Sequence, residues 1–186
     1  GKIRAMVSLP NFDPNNLKPG ISDARRNRAV VDFYEPGSIF KIITASAALN
    51  QGMMTESDEV FCEHGEYRVT GSRILHDVHG YGWLTFSKVF EKSSNIGTVK
   101  IAQQLGENIL HYYIKKFGFG DITGIDFPGE AEGIIRPVEQ WSGYSITSIP
   151  IGQEVTVTAL QMTCAMAAIA NGGNLVRPYL VSRVVD

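Results

Sequence analysis

Residues 39–49 read Ile-Phe-Lys-Ile-Ile-Thr-Ala-Ser-Ala-Ala-Leu, a helix-forming run that is apolar nearly all the way round. A surface helix shows one apolar stripe and one polar face, so this segment has to run through the middle of a folded body. It lies between Glu35-Pro36-Gly37 and Gly52, residues that break the chain before a helix and stop it afterwards. Wrapping such a helix takes further apolar sequence. The chain has 186 residues, 44% of them hydrophobic, which is enough for one domain, or part of one, with its own core.

Lys41 is the anomaly in that run. It stands three residues after Ser38, and on a helix this Ser-x-x-Lys spacing puts both side chains on one face, one turn apart. A serine hydroxyl needs a base to become a nucleophile, and a lysine serves if its amine is neutral. Burial among apolar groups disfavours the charged form and lowers the lysine pKa. At a helix start, backbone N–H groups and the positive end of the dipole also lie where an oxyanion would form. Taken alone, the same pattern suits a capping serine and a lysine that snorkels to the surface, and that reading is preferred for the motif by itself.

A second element changes the balance. In Ser93-x-Asn95 a second hydroxyl can relay a proton to a leaving amine, and a carboxamide can hold a substrate amide. Neither Ser-x-x-Lys nor Ser-x-Asn occurs elsewhere in the chain. On its own this element also reads as a helix-capping turn.

The remaining sequence predicts mostly helices. A strand is expected over residues 2–9, followed by a loop rich in Asn, Asp and Pro. Residues 56–83 read as loops with short strands. Helical signals return from Thr85, break at Ser93-Ser94-Asn95, and resume over residues 96–105 and 107–117. Residues 120–136 are turn-rich, with a small hairpin expected among them. A strong helix is predicted over residues 157–170, and a final strand over residues 179–185.

Charge and composition exclude some functions. The formal net charge is −2, and the densest basic group, Arg25, Arg26 and Arg28, is too short to make a phosphate-binding stripe. This argues against nucleic acid as a partner. No run of about twenty apolar residues is present, and the most apolar late segment contains Gln161 and Thr163, so the chain as it stands reads as soluble. The two cysteines, Cys62 and Cys164, suit unpaired thiols better than a disulfide framework. His76, Asp77 and His79 lack a third convergent ligand and read as a polar loop, so no metal and no cofactor is assigned. Residues 1–7 look like the middle of a strand hairpin without its first half, and the sequence is expected to be an excerpt.

With these motifs in hand, the chain resembles the penicillin-binding proteins, in particular the class B members that include the division transpeptidases. The resemblance is carried by Arg26-Asn27-Arg28-Ala29-Val30 leading to Glu35-Pro36-Gly37-Ser38, by Lys92-Ser93-Ser94-Asn95-Ile96-Gly97, by residues 123–130, and by Ala170-Asn171-Gly172-Gly173 followed by Arg177-Pro178. It implies an α+β fold, here the helix-rich part of the penicillin-binding and serine β-lactamase-like transpeptidase fold with most of the central antiparallel sheet missing. Residues 1–186 would then be a partial transpeptidase domain.

The same resemblance implies the roles. Ser38 would attack the penultimate D-Ala carbonyl of a peptidoglycan stem peptide, and would be the residue acylated by β-lactam antibiotics. Lys41 would deprotonate it, Ser93 would pass the proton to the departing amine, and Asn95 would bind the substrate amide and fix Lys41. The parent protein would be anchored at the outer face of the bacterial membrane, with cell-division proteins as partners, and the wording around Ser38 is closer to the division or sporulation branch than to the elongation branch. One departure stands out: no Lys-Thr-Gly or Lys-Ser-Gly occurs, and in the family that strand forms a wall of the site and leads to an oxyanion-hole N–H. Removing one such donor typically costs ~10²–10³ in rate, so these residues alone are expected to be weak or inactive. The competing readings are a penicillin-recognising sensor and a non-catalytic interaction module of the same fold.

Overall fold

The computed structural model of the chain describes residues 1–16, 22–71 and 73–185. Its elements in chain order are α1 (Arg28–Val31), β1 (Phe33–Tyr34), α2 (Lys41–Asn50), β2 (Glu59–Phe61), β3 (Glu66–Thr70), β4 (Arg73–His76), β5 (Trp83–Thr85), α3 (Phe86–Glu91), α4 (Asn95–Leu105), α5 (Glu107–Lys116), α6 (Ser145–Ser148), β6 (Val157–Thr158) and α7 (Ala159–Ala170). Short 3-10 turns, among them Gly37–Phe40 and Ile149–Ile151, connect them. Among the described residues the strands form only three antiparallel pairs, β1 with β6, β2 with β5 and β3 with β4. The fold is α+β, helix-rich and poor in sheet.

Two compact units divide the chain. One comprises Glu35–Lys116 and Arg136–Val155. At its centre α2 packs against α4 and α5, and α4 also packs against α6. The middle of α2 is the buried segment that its composition demands: Ile43, Thr44, Ala47 and Ala48 are fully enclosed, while Ile39 and Leu49, just before and near the end of the helix, are exposed. On α4, Ile96, Val99, Ile101 and Ala102 are fully buried. Gly97 sits where a Cβ would press into the Val89 side chain, so the start of α4 lies tightly against α3. Helix α5 carries Glu107 in its first turn and Lys115 and Lys116 in its last, which complements the helix dipole.

The second unit comprises Gly1–Tyr34, Phe117–Ile135 and Thr156–Asp186. Its core gathers Val30 of α1, Ile125, and Leu160 and Cys164 of α7, with Ile3, Met6, Val31 and Phe127 against them. Helix α7 starts in a capping box, the Thr158 hydroxyl accepting from Gln161 N while the Gln161 side chain accepts from Thr158 N. The Gln161 amide then donates to Asp121 O and Glu132 O, both at 2.8 Å.

Several local expectations are corrected. Residues 2–9 and 179–185 form no strand; a single parallel bridge joins Lys2 to Tyr179. Their β-forming side chains find no further ladder partner, and without one strand propensity does not make a strand. Residues 120–136 close no hairpin either, because Ile134 bridges Thr156 instead and Glu132 is held by Gln161. Both cysteines are buried free thiols. Among the described residues no helix is long and apolar enough to cross a membrane.

Candidate active site

The four residues singled out by sequence all belong to the unit built on α2. Gly37–Phe40 is a 3-10 turn, and α2 proper begins at Lys41, so Ser38 precedes the α-helix rather than starting it. The backbone N–H of Lys41 donates to Ser38 O. With three residues per 3-10 turn, side chains at i and i+3 eclipse, which puts Ser38 and Lys41 in line on one face. Ser38 is exposed and Lys41 is 3% exposed.

The turn is held in place by its own unit. Gly37 has φ +59° and donates its N–H to Gly152 O at 3.1 Å. The Glu35 carboxylate accepts from Glu154 N at 2.9 Å, and Glu154 in turn accepts from Ser145 Oγ at 2.7 Å. A Cβ on Gly152, itself at φ +75°, would run into the backbone of Gly37. Glycine at 152 is thus required by close approach of two backbones as well as by its φ.

Lys41 reaches into the second element. Its Nζ donates to Ser93 O at 2.6 Å and to Ser93 Oγ at 2.9 Å. Burial lowers its pKa from 10.5 to about 8, against the opposing pull of the Asp77 carboxylate. A substantial neutral fraction at mildly alkaline pH follows, together with an ammonium whose partners are one carbonyl and one hydroxyl. Ser93 is a non-glycine residue at φ +55°, a left-handed conformation that costs ~1–2 kcal/mol.

Asn95 opens α4 and donates its side-chain amide to His76 O at 3.0 Å. The expected contact from Asn95 to Lys41 is not made among the described residues; Ser93 holds the lysine instead. Ser38, Lys41 and Ser93 therefore cluster through the 38–41 turn and the Lys41–Ser93 bonds, and Asn95 flanks them two residues along.

Asp77 is the residue that the sequence reading left in a polar loop. Its carboxylate accepts from Ser94 Oγ at 2.6 Å, from Asn95 N at 2.5 Å and from Ile96 N at 3.1 Å. It caps α4 from a different part of the chain, and no local pattern could have paired it with a helix that starts 18 residues later. Gly152 and Glu154 were missed for the same reason.

Chemically, the cluster offers an exposed hydroxyl, a lysine whose pKa is lowered to about 8, a second hydroxyl bonded to that lysine, and a carboxamide. This set suits acyl transfer through a serine ester. Known proteins match this chain along its whole length. The profile of the penicillin binding protein transpeptidase domain matches residues 1–186. Stage V sporulation protein D of Bacillus subtilis is 38% identical over all of this chain and 29% of its own length. Penicillin-binding protein PbpB of Mycobacterium tuberculosis is 38% identical over all of this chain and 27% of its own length. The solved transpeptidase domain of Burkholderia pseudomallei penicillin-binding protein 3 superposes with a TM-score of 0.81 at 33% identity, covering 86% of this chain and 48% of that one. Penicillin-binding protein 3 of Mycobacterium tuberculosis in complex with ampicillin gives 0.77 at 38% identity over 83% of this chain and 34% of that one. The chain thus spans under a third of the length of these curated relatives and from a third to a half of the solved chains.

Proposed function

This chain belongs to the penicillin-binding protein transpeptidase-domain family, and from that premise we propose that it carries the acylating centre of a peptidoglycan D,D-transpeptidase. The observation that carries the reading is the double hydrogen bond from Lys41 to Ser93. It joins the Ser-x-x-Lys and Ser-x-Asn elements, which are separate in sequence, around one exposed serine.

In the proposed cycle the neutral Lys41 amine takes the proton of Ser38 Oγ as that oxygen attacks the penultimate D-Ala carbonyl of a stem peptide. The C–N bond to the terminal D-Ala breaks, and the proton passes through Ser93 Oγ to the departing amine. An amine of a neighbouring stem then attacks the Ser38 ester and gives its proton to Lys41. As the new amide forms, the bond from the acyl carbon to Ser38 Oγ breaks, and Lys41 returns that proton to Ser38, leaving cross-linked peptide and free enzyme. Asn95 holds the substrate amide beside the 93–95 segment. A β-lactam follows the first half alone, its ring amide opening onto Ser38.

These 186 residues include no Lys-Thr-Gly, and we propose that they are part of a transpeptidase domain whose remaining wall other residues supply. The site faces the peptidoglycan outside the cytoplasmic membrane, with stem peptides as substrates and cell-division or sporulation proteins as partners. The test is intact-protein mass spectrometry of the native protein after benzylpenicillin. The expected result is one penicilloyl adduct on Ser38, lost in Ser38→Ala; an adduct on another residue overturns the assignment.

A further inference from the structure

We propose that Asp77 is a positioning residue for this centre: its carboxylate holds the Ser93–Asn95 segment in the conformation that presents Ser93 O and Oγ to Lys41. The inference rests on the acyl-transfer reading of the site but concerns a residue outside the two motifs.

The argument begins with the backbone. Ser93 is left-handed, and such a residue persists only where its neighbours over-determine it. On the N-terminal side, Ser93 N donates to Phe90 O and Ser94 N to Val89 O, closing the end of α3. On the C-terminal side the fixing group is Asp77, whose two oxygens accept from three consecutive residues, Ser94, Asn95 and Ile96. The first N–H groups of a helix have no intrahelical acceptor, so these bonds, together with the N-cap bond from Gly97 N to Ser94 Oγ at 2.9 Å, set where α4 begins. Asp77 is itself anchored, its N–H donating to Gly65 O at 3.1 Å at the end of the β3–β4 hairpin. Asn95 ties to the same hairpin through His76 O. The hairpin end, the left-handed turn and the lysine thus form one connected assembly in which a carboxylate is the central acceptor.

A carboxylate also acts through its charge. It sits at the positive end of α4 and stabilises the Lys41 cation, opposing the effect of burial. Asp77 also acts on Cys62, kept as a thiol chiefly by burial, while Lys100 of α4 acts on the same thiol in the opposite direction. Asp77 thereby couples the placement of Ser93 to the proton affinity of Lys41.

The experiment compares the native protein with Asp77→Asn and Asp77→Ala. Competitive amine labelling of Lys41 across pH reads its titration midpoint directly, and benzylpenicillin acylation reads the assembled site. Both variants are expected to move the Lys41 midpoint to lower pH, and Asp77→Ala to lower the acylation plateau by up to ~100-fold, the scale of loss from small misplacement of a reacting group. An unchanged Lys41 midpoint in a folded Asp77→Asn protein overturns the proposal, because a residue that only stabilised the fold would leave it unmoved. A native protein that is not acylated at all refutes the transpeptidase reading, while the Lys41 titration still decides the role of Asp77. Should the variants not fold, amide hydrogen exchange in the native protein is decisive: Asn95 and Ile96 N–H are expected to be protected, and free exchange at both sinks the idea.

Discussion

Lys41 Nζ donates to both the carbonyl and the hydroxyl of Ser93, 52 residues further along the chain. Among the described residues these are its only side-chain hydrogen bonds. Removing the amine should therefore disconnect the two motifs and, in the proposed cycle, remove the base together. Lys41→Met is expected to lower the rate of penicillin acylation by at least ~10²-fold, the usual scale for general base catalysis, while the protein stays folded, since a flexible apolar side chain fits a buried position. Rapid-quench acylation with a parallel thermal melt checks both parts. Acylation at the native rate would take Lys41 out of the mechanism.

The lowered pKa has two consequences with definite signs. Acylation that needs neutral Lys41 should rise with pH through about 8, and the inflection should vanish in Lys41→Met. For stability, the folded pKa lies below the unfolded value of 10.5. Between the two the unfolded state binds more protons, so unfolding free energy grows as pH rises across that window. Below about 8 the folded state carries the full cost of the buried charge. The gain amounts to about 3 kcal/mol at ~1.4 kcal/mol per pKa unit. Urea unfolding of wild type and Lys41→Met at neutral and strongly alkaline pH isolates the contribution as a difference of differences; identical pH slopes for the two proteins would contradict it.

Local and long-range features differed sharply in how far the sequence disclosed them. Helices α4, α5 and α7 lie within a few residues of their expected bounds, since apolar spacing and flanking Gly106, Gly118 and Asn171-Gly172 act over one or two turns. The burial of α2 followed from its composition in the same way. The 2–9 and 179–185 strands failed because a strand is decided by its partner, and here one bridge is all that forms. Lys41 and Ser93 could be joined on the page only through family resemblance, and Asp77, Gly152 and Glu154 by nothing at all. Asp77, Gly152 and Glu154 each meet a segment distant in sequence, and in those contacts at least one partner is a backbone group that every residue type carries.

Gln161 gives a test within the unit that contains α7. Its side chain is 1% exposed and makes three hydrogen bonds, accepting from Thr158 N and donating to Asp121 O and Glu132 O. Gln161→Leu has a similar volume and removes all three. With buried polar groups costing ~1–3 kcal/mol each when a partner is lost, a destabilisation of ~2–4 kcal/mol is expected from urea unfolding. A change under ~0.5 kcal/mol, typical of surface positions, would show that these bonds are replaced by water at little cost.

Gly152 tests how firmly the Ser38 turn is held. An added Cβ would meet Gly37 O, N and C, all backbone atoms that no side-chain rotation can move aside, and the residue is at φ +75°. Left-handed strain costs ~1–2 kcal/mol for a non-glycine residue, and overpacking adds ~1–3 kcal/mol. Gly52 in the same unit provides the control, since it has φ +62° with nothing within 4 Å of its Cβ position. Gly52→Ala should show the conformational cost alone. Gly152→Ala should show the larger sum, about 2–5 kcal/mol, and should also slow penicillin acylation, because the turn it displaces carries Ser38. Equal destabilisation by the two substitutions, with acylation unaffected, would mean that the Gly37–Gly152 contact yields without moving the serine, and that the turn is fixed from the α2 side instead.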